Sequence, residues 1–287
     1  MYQLNDHCYH FEKITYPDGL LDESVDATYI IHLEGNGRLE SIHEQLRQYH
    51  PTKIVYIIFN KGFEKCDKHI HEKLPAVDLT DAFLHAFKHA KNNKYENILV
   101  LEDDFMFSEK INDPSVASRI NQFIVTKQHT EFIYLLGCLP FFQIPYDLYT
   151  NIVFVSAGTH AVIYSDKYIT QLLEVDQKSI SDWDLQNNLI LNRYTYYEPV
   201  CYQLCPETEN SKNWGKSQPD YIWFITVYPL KLIIKMLGLD KSVEPGYSIM
   251  YTASKLLFWM GVCIIIILAF LYKTLKNKSI LRRIMKK

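Results

Sequence analysis

The strongest constraint on the fold of this chain lies in residues 98–105, which read ILVLEDDF. Four apolar, strand-favouring residues run directly into three consecutive carboxylates. A continuous apolar run of this length is typical of a buried strand in a mostly parallel sheet. Open α/β sheets bind ligands at the carboxyl ends of their strands. The sequence therefore predicts an acidic site at the edge of a buried sheet.

The three carboxylates are Glu102, Asp103 and Asp104. Side chains alternate along a strand, so Glu102 and Asp104 should point the same way and Asp103 the other. Two like charges held together are costly unless a cation neutralises them, and Mg²⁺ is usually held by one or two carboxylates plus substrate phosphates. We therefore expect Glu102 and Asp104 to bind a divalent metal beside a phosphate. The alternative is that all three are solvated residues that end a strand.

The segments around this motif predict the fold class. Strands are expected at 27–33 and 53–59, and amphipathic helices begin near Arg38 and near Leu79. The order strand, helix, strand, helix, strand indicates a parallel sheet in the first half and an α/β chain. The second half is mixed, with strands expected at 131–137, 152–156 and 160–164 and helices at 115–127, 165–174 and 182–191. We therefore predict a Rossmann-type mixed sheet flanked by helices.

Charge and cysteine usage narrow the class of protein. The chain has 287 residues and a net charge of -3, so no global basic field attracts nucleic acid. The six cysteines form no C-x-x-C pair, and Cys201 and Cys205 lack a second pair for zinc. We expect mostly free thiols in a reducing compartment and no nucleic-acid partner.

The C-terminal part of the chain predicts a membrane helix. Residues 256–272 form a run of 17 without a charge, and the residues after it are basic with no acidic side chain. This length is at the short limit for a membrane span. A buried core helix is the alternative, but the uninterrupted apolarity and the basic tail favour a single span. Residues 222–239 are also apolar, apart from Lys231 and Lys235 on one helical face, which suits a helix in the membrane interface or one docked on the domain.

The predicted organisation is a globular domain at 1–215, a membrane-proximal segment at 216–255, the span at 256–272 and a basic tail at 273–287. The positive-inside rule places the tail in the cytosol and the domain across the membrane. However, residues 1–16 contain no apolar core that would serve as a signal peptide. We therefore expect a cytosolic domain that is tethered by its C-terminus.

A second acidic motif, SDWD, occupies residues 181–184. It resembles a capping box with Asp in place of Glu, and Asp favours a helix start. The functional alternative is a general base beside an acceptor, with Asp184 as first choice, Asp182 as second and Trp183 as an apolar platform for a sugar ring. His160 is a candidate metal ligand, although a lone histidine that enters a strand is more often structural.

The first predicted strand is followed by the residues GNG at 35–37. A Rossmann dinucleotide site needs a third glycine, which is missing, so a flexible turn is one interpretation. Two glycines still let backbone N–H groups approach a phosphate. Arg38, directly after them, either meets a diphosphate or is solvated in the first turn of its helix.

Several segments share an order and spacing with a known family. They are YIIHL at 29–33 with RLESI at 38–42, LEDD at 101–104, AGTHAVIYS at 157–165 and SDWD at 181–184. Together they resemble glycosyltransferase family 25, the lipopolysaccharide-type and collagen-type sugar transferases of GT-A fold. The resemblance covers roughly residues 27–210.

The resemblance implies a GT-A-like sheet and hexosyltransferase-like activity on a nucleotide-sugar donor, with a UDP-sugar favoured. It also implies a divalent metal, Mn²⁺ or Mg²⁺, and inversion at the anomeric carbon. The acceptor would be a glycan or protein hydroxyl. In these roles we place Glu102 and Asp104 on the metal, Arg38 and Asp103 on the donor, and Asp184 or Asp182 as the base. The alternatives are a catalytically inactive GT-A-like membrane scaffold or adaptor, and a metal-dependent phosphotransfer or nuclease enzyme, although the lack of a basic face argues against a nuclease.

Overall fold

The computed structural model describes residues 6–180, 182–205 and 220–284. The strands are β1 Tyr9–Thr15, β2 Ala27–Leu33, β3 Ile54–Asn60, β4 Asn97–Glu102, β5 Phe105–Phe107, β6 Ile133–Pro145, β7 Thr150–Ser165, β8 Arg193–Tyr196 and β9 Cys201–Gln203. The helices are α1 Leu39–Gln48, α2 Pro75–Asn92, α3 Pro114–Thr126, α4 Asp166–Glu174, α5 Trp183–Asn187, α6 Asp220–Met236 and α7 Gly246–Ile284.

The central sheet has seven strands in the order β1-β3-β2-β4-β7-β6-β8. The three strands β3, β2 and β4 are parallel, as the first half of the sequence predicts, and β1 and β7 flank them in antiparallel fashion. A two-stranded ribbon of β5 and β9 lies beside this sheet. A mixed sheet flanked by helices, with a long apolar helix at the C-terminal end, confirms the predicted fold class and is consistent with a GT-A-like fold.

Alternation along the buried strands builds one core on each face of the sheet. In β4, Ile98 and Val100 join a core with α2 and α4, whereas Leu99 and Leu101 join a core with α1 and α3. All four side chains are fully buried. Burying one such side chain stabilises a fold by about 1.5–3 kcal/mol, so both faces hold β4 firmly in place. The carboxylates that follow it are therefore fixed at the carboxyl edge.

The second half of the sheet departs from the prediction. The three short strands expected there are one long hairpin, β6–β7, whose register shifts several times between Leu135 and Gln143. Bulges of this kind bend strands. The bend lets the short strand β8 pair with both β6 and β7. The edge strand β1 was not predicted, and the helix expected at 182–191 is confined to α5.

Two of the six cysteines form a disulfide, which the sequence pattern did not predict. The bond joins Cys8, before β1, to Cys66 in the segment after β3. Cys138, Cys201, Cys205 and Cys263 are free. The two cysteines are 58 residues apart. In the chain-entropy account, closing a loop of that length stabilises a fold by roughly 4 kcal/mol. Disulfides persist mainly in oxidising compartments.

The apolar C-terminal helix α7 starts within the globular domain. Its first turns are buried against β6 and β8, where Tyr251 and Ser254 accept hydrogen bonds from Gln143 at 2.9 and 2.8 Å. Beyond Lys255 its side chains are mostly exposed. The part Gly246–Lys276 is long and apolar enough to cross a membrane, and it includes the predicted span at 256–272. The helix thus joins the domain to the apolar run without a linker.

The preceding helix, α6, continues through Pro229. Near its end, Ile234 is buried and Ile233 packs on the core, while Lys235 is exposed. For the described side chains in the later part of the segment 222–239, this packing favours the docked alternative over a helix that lies only in the membrane interface. The predicted boundary between 215 and 216 lies outside the described residues, as does Ser181 of the acidic motif.

Candidate functional site

The predicted acidic site lies where β4 ends, next to the end of its parallel neighbour β2. Glu102 is the last residue of β4, and Asp103 and Asp104 form the turn that leads into β5. Ile31 of β2 is the register partner of Glu102. The loop that follows β2 therefore passes directly over the carboxylates.

Asp103 fastens this loop to β4. Its Oδ2 accepts a hydrogen bond from the Leu33 backbone N–H at 3.0 Å and another from the Asn36 amide. His32 Nδ1 lies 3.3 Å from the same oxygen. Gly35 and Gly37 have φ values of +84° and +80°, which only glycine adopts easily, so they let Asn36 turn inward. Asp103 is 8% exposed and holds the loop in position.

Arg38 joins two of the carboxylates. Its Nη1 donates to Asp103 Oδ1 at 2.7 Å and to Asp104 Oδ2 at 2.9 Å. Asp104 Oδ1 accepts from Gln203 Nε2 on β9 at 2.7 Å. The expected alternation, with Asp103 pointing away from Asp104, is not observed because both residues lie in the turn rather than the strand.

Glu102 faces the other way, toward the second acidic motif. Thr159 on β7 donates its hydroxyl to Asp184 Oδ1 at 2.7 Å, and the same hydroxyl lies 3.3 Å from Glu102 Oε1. The Gly158 backbone N–H donates to Asp184 Oδ2 at 3.1 Å. The structure thus brings Glu102 and Asp184, which are far apart in sequence, to the two sides of one threonine.

The carboxylates differ in their electrostatics. Burial, together with the charges of Asp104 and Asp184, raises the pKa of Glu102 well above its usual range. Burial also raises the pKa of Asp104, against the opposing charge of Arg38. Burial, and then the charge of Asp182, raises the pKa of Asp184 to about 6. For Asp103, burial is outweighed by the hydrogen bonds from His32 and Arg38 and by the Arg38 charge, so its pKa is lowered.

These residues fit a divalent cation. Arg38 pairs with two of the four carboxylates, while Glu102 and Asp184 are held by a hydroxyl and a backbone amide and repel each other. Carboxylate oxygens are the ligands that Mg²⁺ and Mn²⁺ prefer. Among the described residues, no three of these carboxylates bring ligand oxygens within 4.8 Å of one another. A cation here would therefore take one or two protein carboxylates and need further ligands from a substrate.

The other predicted residues lie elsewhere. Asp182 is the N-cap of α5, where its side chain accepts from the Leu185 N–H at 3.0 Å. Trp183 is 2% exposed and stacks on Phe83, so its predicted role as a sugar platform is wrong. His160 is fully buried, with Nε2 3.3 Å from the Cys201 carbonyl oxygen, and lies in the core rather than among the carboxylates.

Three residues of the site were not predicted individually. Thr159 lies within the AGTHA segment, but no spacing rule connects it to Glu102 or Asp184. Asn36 lies between two glycines, a pattern that indicates a turn and not a hydrogen bond to Asp103. Gln203 reaches Asp104 from a three-residue strand, for which the sequence carries no signal.

A cavity of about 610 Å³ lies away from the carboxylates. It is lined by residues 69–71, by α2 residues that include Thr80 and Asp81, and by the segment after α4, and none of the six predicted site residues lines it. Near this cavity Lys68 is buried against Asp78, with 2.6 Å between Nζ and Oδ1. This ion pair holds the disulfide-bearing segment against α2.

No protein-family model matches the chain, and no curated protein matches it. Among solved structures, the chain is similar to A197 from STIV, with 11% identity and a TM-score of 0.38 over 62% of this chain and 85% of the other. It is also similar to a glycosyltransferase involved in the glycosylation of the major capsid of PBCV-1, with 13% identity and a TM-score of 0.32 over 54% of this chain and 66% of the other. Likenesses at this level do not identify a function, so the residues of the site must carry it.

Proposed function

We propose that this protein is a membrane-tethered glycosyltransferase that moves a sugar from a nucleotide-sugar donor to an acceptor hydroxyl. The reaction is metal-dependent and inverts the anomeric carbon, with a UDP-sugar as the favoured donor and a glycan or protein as the acceptor. The observation that carries the proposal is the set of four carboxylates at the carboxyl edge of a mixed sheet. Arg38 forms ion pairs with only two of them, Asp103 and Asp104. The resemblance of the sequence to glycosyltransferase family 25 supports the same function.

The donor half of the site is formed by Glu102, Asp104 and Arg38. Glu102 and Asp104 would hold Mn²⁺ or Mg²⁺, which when bound acts as a Lewis acid on the leaving diphosphate. Arg38 presents a partly exposed guanidinium at the same edge, and a guanidinium can form bidentate hydrogen bonds to phosphate oxygens. Asp103 contributes by fixing Arg38 and the loop around Asn36, because its own oxygens are already taken by protein donors.

The acceptor half is formed by Asp184. An inverting displacement needs a base that takes the proton of the attacking hydroxyl. Its pKa of about 6 leaves Asp184 ionised at neutral pH yet more basic than an ordinary aspartate. Thr159 and Gly158 hold its two oxygens in place, so the carboxylate is oriented before an acceptor arrives.

A catalytically inactive GT-A-like scaffold is the second candidate, and one observation favours it. Arg38 already bridges Asp103 and Asp104, so a cation must compete with a guanidinium for Asp104. In a scaffold this arrangement would be permanent and no metal would enter. Binding measurements separate the two candidates.

We expect metal binding to depend on the donor, because too few carboxylates converge to hold a cation alone. Mn²⁺ by itself should raise the melting temperature little, whereas Mn²⁺ with UDP or a UDP-sugar should raise it clearly. A ligand at about 100 times its dissociation constant adds roughly 2.7 kcal/mol to the free energy of unfolding. The measurement is thermal unfolding of the full chain with each ligand alone and with both.

Two matched variants each remove one carboxylate: Glu102→Gln at the site, and Glu12→Gln as the control. Glu102→Gln should lose the joint effect of metal and nucleotide. Glu12 lies exposed on the edge strand β1, so Glu12→Gln should keep it. A screen of nucleotide sugars in which none stabilises the parent chain, with or without Mn²⁺, would favour the scaffold.

We further propose that the domain faces an oxidising compartment and the basic tail the cytosol. The Cys8–Cys66 disulfide supports this side, and the positive-inside rule independently supports it. It is opposite to the cytosolic placement of the domain that was expected from residues 1–16. Protease added to the cytosolic face of sealed membranes should leave the domain intact, and digestion of the domain from that face would contradict this orientation.

A further inference from the structure

The turn between β6 and β7 exposes a group of apolar and aromatic side chains: Tyr146, Leu148 and Tyr149, here called the hairpin patch. Leu148 is 85% exposed, although a large aliphatic side chain is ordinarily among the more buried residues. The same hairpin also exposes Phe142 and Phe154, whose rings lie 5.7 Å apart. So much apolar surface on one hairpin indicates a contact with an apolar partner.

The hairpin patch lies beside the point where α7 leaves the domain. The Lys255 ammonium, in the last docked turn of α7, donates to the Tyr197 carbonyl oxygen at 2.9 Å. The Tyr197 N–H in turn donates to the Tyr149 carbonyl oxygen at 2.9 Å. The uncharged run of α7 begins at the next residue, Leu256. The hairpin patch and the start of the predicted membrane span therefore share one end of the domain.

Basic side chains border the hairpin patch. Lys127 donates to the Tyr146 hydroxyl at 2.9 Å and lies 4.5 Å from the centre of its ring. The Arg119 guanidinium lies 3.9 Å from the centre of the Tyr149 ring. Tyrosines with neighbouring lysine or arginine are typical of the membrane–water interface, where the ring reaches inward and the cation meets phosphates. A soluble protein partner would not explain equally well why the hairpin patch lies beside α7.

We propose that the hairpin patch inserts into the headgroup layer of the membrane that α7 crosses, with Lys127 and Arg119 on lipid phosphates. This inference rests on the proposed membrane tether. Two contacts with the bilayer, α7 and the hairpin patch, fix the tilt of the domain. They also fix the height of the carboxylate site, because Tyr247 at the start of α7 hydrogen-bonds Gln203, the partner of Asp104. From Tyr247 to Lys255 the helix rises about 12 Å.

The test uses the full chain in phosphatidylcholine vesicles, with and without phosphatidylglycerol. The two free thiols that are not buried are removed by Cys263→Ser and Cys205→Ser. A bimane fluorophore is then attached to Leu148→Cys, Met260→Cys or Glu12→Cys. Position 260 lies in the predicted span, and position 12 lies on β1, at the opposite edge of the sheet from β8. Lipids that carry a nitroxide at headgroup level or deep in the acyl chain then quench any fluorophore that they reach.

We expect headgroup-level nitroxides to quench position 148, deep nitroxides to quench position 260, and neither to quench position 12. Lys127→Gln should reduce the extra quenching of position 148 that phosphatidylglycerol causes. If position 260 is quenched and position 148 is not, the hairpin patch does not touch the bilayer. If position 148 is shielded from aqueous iodide but is not quenched by either nitroxide lipid, a second protein copy covers it and the inference is wrong. If position 260 is unquenched, the membrane tether itself fails.

Discussion

Asp104→Ala is expected to abolish metal-dependent donor hydrolysis and sugar transfer while leaving the fold intact. Asp104 lies in the turn after β4, where it meets Arg38 and Gln203, and its pKa is raised by burial. A bound metal contributes several kcal/mol of transition-state stabilisation, and each 1.4 kcal/mol is a factor of about ten in rate. Losing that contribution should lower turnover on the order of 10³-fold or more.

Two further variants make this experiment specific. Asp104→Asn keeps an oxygen for the hydrogen bond from Gln203 but removes the charge, so it should lose activity as Asp104→Ala does. Glu12→Gln should retain the activity of the parent chain. Release of the nucleotide product measures hydrolysis, and thermal unfolding checks the fold. Full activity of Asp104→Ala in Mn²⁺ would show that the metal assignment is wrong.

The strands that build the sheet could be predicted because they are buried on both faces. In β2 and β4 a continuous apolar run is enough to identify the strand, and the observed bounds of β2 equal the predicted 27–33. The edge strand β1 could not be found this way, since Glu12 and Lys13 interrupt its apolar residues. The bend of the β6–β7 hairpin depends on register shifts in its strand pairing. The local pattern of apolar and polar residues does not encode such shifts.

The site was predictable in its parts but not in its assembly. The LEDD motif indicated a ligand edge because three carboxylates follow a buried strand. The contact between Glu102 and Asp184 through Thr159 requires β7 to lie beside β4, and that order of strands has no signature in the sequence. The disulfide was missed for a similar reason, because Cys8 and Cys66 are 58 residues apart and meet only when β1 pairs with β3.

Asp184→Asn is expected to lower turnover about 10²- to 10⁴-fold, the usual contribution of a positioned general base. The amide keeps the shape of the side chain but cannot take the proton of the acceptor hydroxyl. Binding of the donor should change little, because we propose that Arg38, Glu102 and Asp104 form that half of the site. Steady-state transfer and thermal shifts with Mn²⁺ and UDP measure the two effects separately.

Asp182→Asn is the matched control in the same segment. Asparagine also caps helices well, so α5 should remain intact and turnover at neutral pH should change far less. The pKa of Asp184 is raised to about 6, and a base works only when deprotonated, so turnover of the parent should fall as the pH drops through about 6. Removing the Asp182 charge, the second cause of that rise, should move this acidic limb to lower pH. If both variants stay within a few-fold of the parent, SDWD is only a helix start, and the base must lie elsewhere.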